Sequence, residues 1–288
     1  MVGIQGTGWA PRWGAALALA VAAALTPPQA SAEPAFDQVA LTEAYQLEAL
    51  FEIVAQEGRD DAADIGADVI GDDASAAWER AMARLYDPER LLEVFLSELD
   101  REATRQANAF DAAIAFARSA PGAQMVQLEV DARAAMLDPD IEQMARDRLA
   151  EARSEDEPTL EFVDARIDAN DLIESNVSLG LNSALSYFVG FAQTAPDALQ
   201  PQADRMMSDV WQTEGAIRAE ITDWLRAYFL LAYAPLDADA RDAVLEHAAS
   251  PEGVAFNTAM FNAFDRLFSG LSQALGAEVG RALASSDL

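Results

Sequence analysis

The sequence predicts an all-α protein, a bundle of about eight to ten amphipathic helices arranged as two related helical halves. Three observations carry this expectation. Good helix formers (Ala, Leu, Glu, Gln, Arg and Met) dominate the 288 residues. Apolar residues recur at helical spacing, and no stretch alternates with the period of two that marks a strand. Acid–proline and serine–proline pairs stand where helices would begin.

The first 32 residues read as a secretory signal. Arg12 is the only charged side chain before Glu33, Gly14 to Leu25 is an apolar run, and Ala30-Ser31-Ala32 offers small residues at a cleavage point. The run is shorter than the roughly 20 residues a membrane span needs, and Pro27-Pro28 closes it. The expectation is a periplasmic or secreted protein cut near Ala32-Glu33, with no integral span afterwards. The most apolar later stretch, Trp224 to Ala234, holds Arg226 and stops at Pro235.

The helices follow in order. Phe36 to Glu57 carries apolar residues at 36, 39, 40, 44, 47, 50, 51 and 54, a helical stripe. Asp87-Pro88, Asp138-Pro139 and Ser250-Pro251-Glu252 each place a capping side chain before a proline in the first turn. They start helices near residues 88, 139 and 251. Further helices are expected over 74–86, 159–194, 203–233 and 238–249. Ala195-Pro196 and Ala234-Pro235 end the helices before them. The segment Arg153-Ser154-Glu155-Asp156-Glu157-Pro158 separates an N-terminal half (33–157) from a C-terminal half (158–288). Its length suits an ordinary connection inside one compact domain as well as a linker, since helix connections run to about 2–8 residues.

A repeat links the halves. Asp111-Ala-Ala-Ile-Ala-Phe-Ala-Arg-Ser-Ala-Pro-Gly122 aligns with Asp242-Ala-Val-Leu-Glu-His-Ala-Ala-Ser-Pro-Glu-Gly253 at a constant offset of 131. Each copy is a helix, a Ser/Pro/Gly turn and a second helix. Ser250-Pro251-Glu252-Gly253 followed by Phe256, Met260, Phe261 and Phe264 resembles the secreted bacterial "domain of unknown function 2059" family. The first copy departs from that pattern, because Ser119-Ala120-Pro121-Gly122 has its proline one place later. In the second copy His247 stands near where the family usually has an aromatic. Trp78, Leu85-Tyr86-Asp87-Pro88, Ala134 to Pro139, Ala169 to Asn176 and Asp223 to Tyr233 also resemble its longer members. The resemblance implies an exported, all-helical protein. It brings no activity, substrate or catalytic residue.

Composition excludes several chemistries. With 19 cationic residues, all arginine, against 49 acidic ones, the net charge is −30. Bulk charge will not hold such a chain to nucleic acid or to an anionic membrane. Without cysteine there is no disulfide, thiolate nucleophile or Cys-based zinc site. One histidine, His247, cannot build a multi-histidine metal centre. No cofactor is expected, and no residue is assigned as catalytic, cofactor-binding or metal-ligating.

Four features still invite a function. His247 could act as a base near neutrality, although its neighbour Glu246 does not share its helix face. Asp60, Asp64, Asp68 and Asp72, with Asp61 and Asp73, would line one helix face. That face repels itself and could attract a hard cation, but a straight helix splays the oxygens that Ca²⁺ needs converged. Asn170, Asn176 and Asn182, with Ser175, Ser178, Ser183 and Ser186, form a polar seam that could line a pocket. Aromatics concentrate in the C-terminal half, where Trp224 and Tyr228, and Phe256, Met260 and Phe264, share faces at intervals of four. They suit a core or an apolar groove.

Three function classes remain. The first is a non-enzymatic binding protein or envelope scaffold, whose partner would be an apolar small molecule or an envelope protein. The second is a hydrolase working through carboxylates without a cofactor; it requires converging acids with raised pKa values. The third is an acidic protein that binds divalent cations.

Overall fold

The computed structural model describes residues 34–70, 76–155 and 157–286. The expected signal segment 1–32 lies outside them, as do Asp72 and Asp73. The described residues form helices and no strand, so the fold is all-α. The first six α-helices are α1 (Gln38–Ala44), α2 (Leu47–Ile65), α3 (Ala76–Leu85), α4 (Pro88–Ala103), α5 (Ala107–Ala117) and α6 (Ala120–Ala135). Then come α7 (Pro139–Glu155), α8 (Pro158–Ala169), α9 (Leu172–Thr194), α10 (Gln200–Asp209), α11 (Glu214–Tyr233), α12 (Ala238–Ala249) and α13 (Pro251–Ser286). A π-helical turn, Gly66–Ile70, extends α2.

The helix starts follow their caps. Asp87 accepts from the Arg90 N–H at 2.9 Å, and Asp237 from the Ala240 N–H at 2.9 Å. Three stretches that read as single helices are each divided. Gln46 takes a left-handed conformation (φ 49°) between α1 and α2, and Asp171 does the same (φ 50°) between α8 and α9. The 3₁₀ turn Val210–Thr213 divides α10 from α11. The left-handed region is uncommon for residues other than glycine, so surrounding contacts must hold both breaks in place.

Buried side chains gather in two cores. One joins α1–α5 with α13, through Leu41, Phe51, Phe95, Leu99, Phe110 and Leu267. The other joins α6–α9, α11 and α12, through Val126, Leu149, Ile167, Val177, Leu225 and Val244. Each helical hairpin is therefore shared. α5 packs chiefly in the first core and its partner α6 in the second, whereas α12 packs in the second and its partner α13 in the first. A cut between residues 157 and 158 would leave α6 and α7 apart from the rest of their core.

α13 runs for 36 residues beside α9. Glycine sets the closeness of that crossing. A Cβ on Gly190 would lie 1.6 Å from the Gln273 carbonyl oxygen, and one on Gly276 would lie 2.0 Å from that of Tyr187. Thr194 Oγ1 donates to the Ala277 carbonyl at 2.8 Å nearby.

Candidate functional site

A cavity of about 310 Å³ opens where the two hairpins meet. It is bounded chiefly by α2, α6, α9, α11, α12 and α13. Spacing by four on α6 turns Met125, Glu129 and Arg133 toward it. The same spacing on α13 brings Phe256, Met260 and Phe264, which are the same three positions advanced by 131. The matched faces differ in chemistry. α6 supplies an acid and a cation, and α13 supplies a thioether and two rings.

Each charged group in the wall has a distinct environment. The Tyr233 hydroxyl donates to Glu129 Oε1, and the Tyr228 hydroxyl donates to the Glu129 carbonyl at 2.9 Å. Loss of hydration pushes the Glu129 carboxyl above the usual carboxylate range, against the opposing pull of Arg166. Arg133 is clamped to Glu57 by two hydrogen bonds, Nε to Oε1 at 2.8 Å and Nη2 to Oε2 at 2.5 Å. It also lies 4.9 Å from the centre of the Trp224 ring.

Arg166 is placed differently. Its Nη1 donates to the neutral Asn170 Oδ1 at 2.6 Å. Its Nε is buried and has no hydrogen-bond partner. Asn170 Nδ2 in turn donates to the Ala248 carbonyl at 2.8 Å, and Asn257 Nδ2 donates to the Asn170 carbonyl at 3.2 Å. These bonds tie the break after α8 to both α12 and α13.

His247 lines the cavity with its ring stacked on Phe116, 3.9 Å between centroids and 8° between planes. The two rings occupy equivalent places in the two hairpins, 131 residues apart. Burial pulls the His247 pKa down, and the nearby Arg166 charge adds to that.

The residues singled out from the sequence divide accordingly. Asn170, Asn176 and His247 line the cavity, with Trp224, Tyr228, Phe256, Met260, Phe261 and Phe264. Asn182 does not; it donates to Asp265 Oδ1 at 2.8 Å on the surface. Ser183 is buried and Ser178 exposed, both away from the cavity lining. Asp60, Asp64 and Asp68 are exposed, and Asp60 accepts from Gln56 Nε2 at 2.7 Å. Among the described residues no three or more His, Asp or Glu side chains converge to hold a metal ion. Also among them, no helix is long and apolar enough to cross a membrane. Sequence reasoning did not single out Glu129, Arg133, Arg166 or Asn257.

No family model, no curated protein and no solved structure matches the chain.

Proposed function

We propose that this is an exported, non-enzymatic binding protein whose central cavity takes a small amphiphile. The observation that carries the reading is the cavity itself. Glu129, Arg133, Arg166, Asn170 and His247 line it together with aromatic and aliphatic side chains. Its volume of about 310 Å³ falls at the small end of the roughly 300–1,000 Å³ typical of small-molecule pockets. Apolar walls with a few convergent polar groups are what such sites require. The signal-like residues 1–32 support export. The resemblance noted above supports the same type of protein, exported and helical.

Glu129 gives the hydrolase reading its one point of support, since an enclosed acid with a raised pKa suits a general acid. Glycosidase-type hydrolysis needs a second carboxylate. Among the described residues lining the cavity, Glu129 is the only carboxylic acid. Glu57, enclosed beside the wall, is held by Arg133. A binding role uses the site as it stands.

Native mass spectrometry of protein purified from an exported fraction tests the reading. A small organic molecule should leave with unfolding and be absent from Met260→Trp, which fills the apolar wall. Recovery of the wild type without any ligand, together with unchanged melting in the presence of medium-chain amphiphiles, would sink it.

A further inference from the structure

We infer that the occupant of the cavity carries one carboxylate at the end of an apolar chain, and that Arg166 receives it. The inference rests on the cavity being a ligand site, and it adds the chemistry of the head group.

The charges around the cavity leave one cation without an anion. Arg133 and Arg166 are the two arginines in the wall. Arg133 already spends Nε and Nη2 on Glu57 in a bidentate pair. Arg166 makes no ion pair among the described residues, and its side chain bonds only to a neutral amide oxygen. Its Nε is buried without an acceptor, so its hydrogen-bonding capacity is not met within the protein. A ligand oxygen at the cavity face of the guanidinium would supply the anion that this wall lacks.

The neighbours of Arg166 select the acceptor. Glu129 is close enough to feel the Arg166 charge, yet loss of hydration favours its neutral form. As a neutral acid, with Oε1 accepting from Tyr233, it can donate its own O–H to a ligand oxygen. His247 is held toward its neutral form by burial and by Arg166, so it adds no second positive charge. The site therefore offers an arginine with no ion-pair partner among the described residues, beside a buried acid whose neutral form is favoured by loss of hydration. A carboxylate has the matching single charge and two acceptor oxygens. A dianionic phosphate exceeds the available charge, an ammonium is repelled, and an alcohol leaves the guanidinium uncompensated. The tail has Met260, Phe264 and Phe268 of α13, with Leu50 and Val54 of α2, to lie against.

Decanoate and decan-1-ol share a tail and differ in the head, so calorimetric titration of both into the folded full chain tests the inference. The wild type should bind decanoate about tenfold or more tighter than decan-1-ol. R166Q should lose about tenfold for decanoate and change decan-1-ol by less than about threefold, while R166K keeps most of the carboxylate preference. E129Q keeps a neutral donor and should stay within about threefold for decanoate. Equal wild-type binding of the two ligands overturns the head-group inference and leaves the cavity reading standing. So does a roughly tenfold gain for decanoate in E129Q, which would mean that an ionised Glu129 already occupies Arg166. If neither ligand binds the wild type, the cavity reading itself falls. Should R166Q not fold, the wild-type preference and E129Q still decide.

Discussion

At the turn before α6, Ser119 Oγ donates to the Phe116 carbonyl at 2.6 Å and accepts from the Gly122 N–H at 3.3 Å. At the turn before α13, Ser250 Oγ donates to the His247 carbonyl at 2.7 Å and accepts from the Gly253 N–H at 3.0 Å. A Cβ on Gly122 would lie 1.9 Å from the Phe116 carbonyl oxygen, and one on Gly253 would lie 2.0 Å from that of His247. The backbone solution is the same twice. A few residues on, the solutions part: Glu129 and Arg133 of α6 stand at the positions that Met260 and Phe264 hold on α13. The turn constrains the backbone, so its residues are held alike. The face beyond it is constrained only by what it meets, so the two copies can give one cavity a polar side and an apolar side.

The largest effect should come from breaking the polar face. Arg133→Met strands the Glu57 carboxylate, whose side chain is 12% exposed. The loss should be about 3–5 kcal/mol, as for other enclosed ion pairs that lose one partner. The matched change on the apolar face, Phe264→Met, keeps a hydrophobe of similar reach and should cost less than about 1.5 kcal/mol. Denaturant midpoints measure both. Adding Glu57→Leu to Arg133→Met should recover much of the loss, because the stranded charge goes with it. Equal losses in Arg133→Met and Phe264→Met would erase the contrast between the faces.

The turns should respond alike. Gly122→Ala and Gly253→Ala each force a methyl against a backbone carbonyl, which has no flexible end to swing away. Each should cost about 2–3 kcal/mol. A loss in only one of them would show that the shared geometry does not carry shared weight. Smaller again, Ser119→Ala and Ser250→Ala remove caps worth about 1 kcal/mol. Ser250→Ala should be the larger of these two, since its bond to the glycine N–H is the shorter.

Much of this scaffold could be read from the chain alone. The caps are local, so Asp87-Pro88 and Ser250-Pro251 announce their helices without any tertiary knowledge. The turn pattern repeats at an offset of 131, and the two rings at that offset, Phe116 and His247, touch. The breaks were not legible. Gln46 and Asp171 are not glycines, and nothing nearby in sequence marks a left-handed residue; Asn170 holds the second break through partners 78 and 87 residues away. The polar side of the cavity was hidden for a related reason. Glu129 is one acid among 49, and what sets it apart is enclosure by Tyr228 and Tyr233, about a hundred residues on. Asn170 and Asn176 were legible because amides inside an apolar stripe are rare enough to notice. Asn182 carried the same local signal and met solvent and Asp265 instead.

The smallest effect sharpens the comparison most, because it swaps one copy's residue for the other's. His247→Phe places in the second hairpin the ring that Phe116 supplies in the first. The stack should survive, and only the titration is removed. Burial and Arg166 hold the folded His247 pKa below its ordinary 6.5. Protonation is thus easier in the unfolded chain, so His247 contributes stability above pH 6.5 that is lost as pH falls through the folded value. Glu129 and Glu57 act in the opposite sense. Burial raises both carboxyls, so their contribution is present at low pH and lost as pH rises from about 4.5. Melting curves between about pH 5 and pH 8 separate the two. Relative to wild type, His247→Phe should gain stability toward pH 5 and match it at pH 8. Glu129→Gln should do the reverse, gaining toward pH 8. If His247→Phe follows the wild-type curve across the whole range, the imidazole is only a ring in a stack, and the two hairpins are more alike at this position than their chemistry suggests.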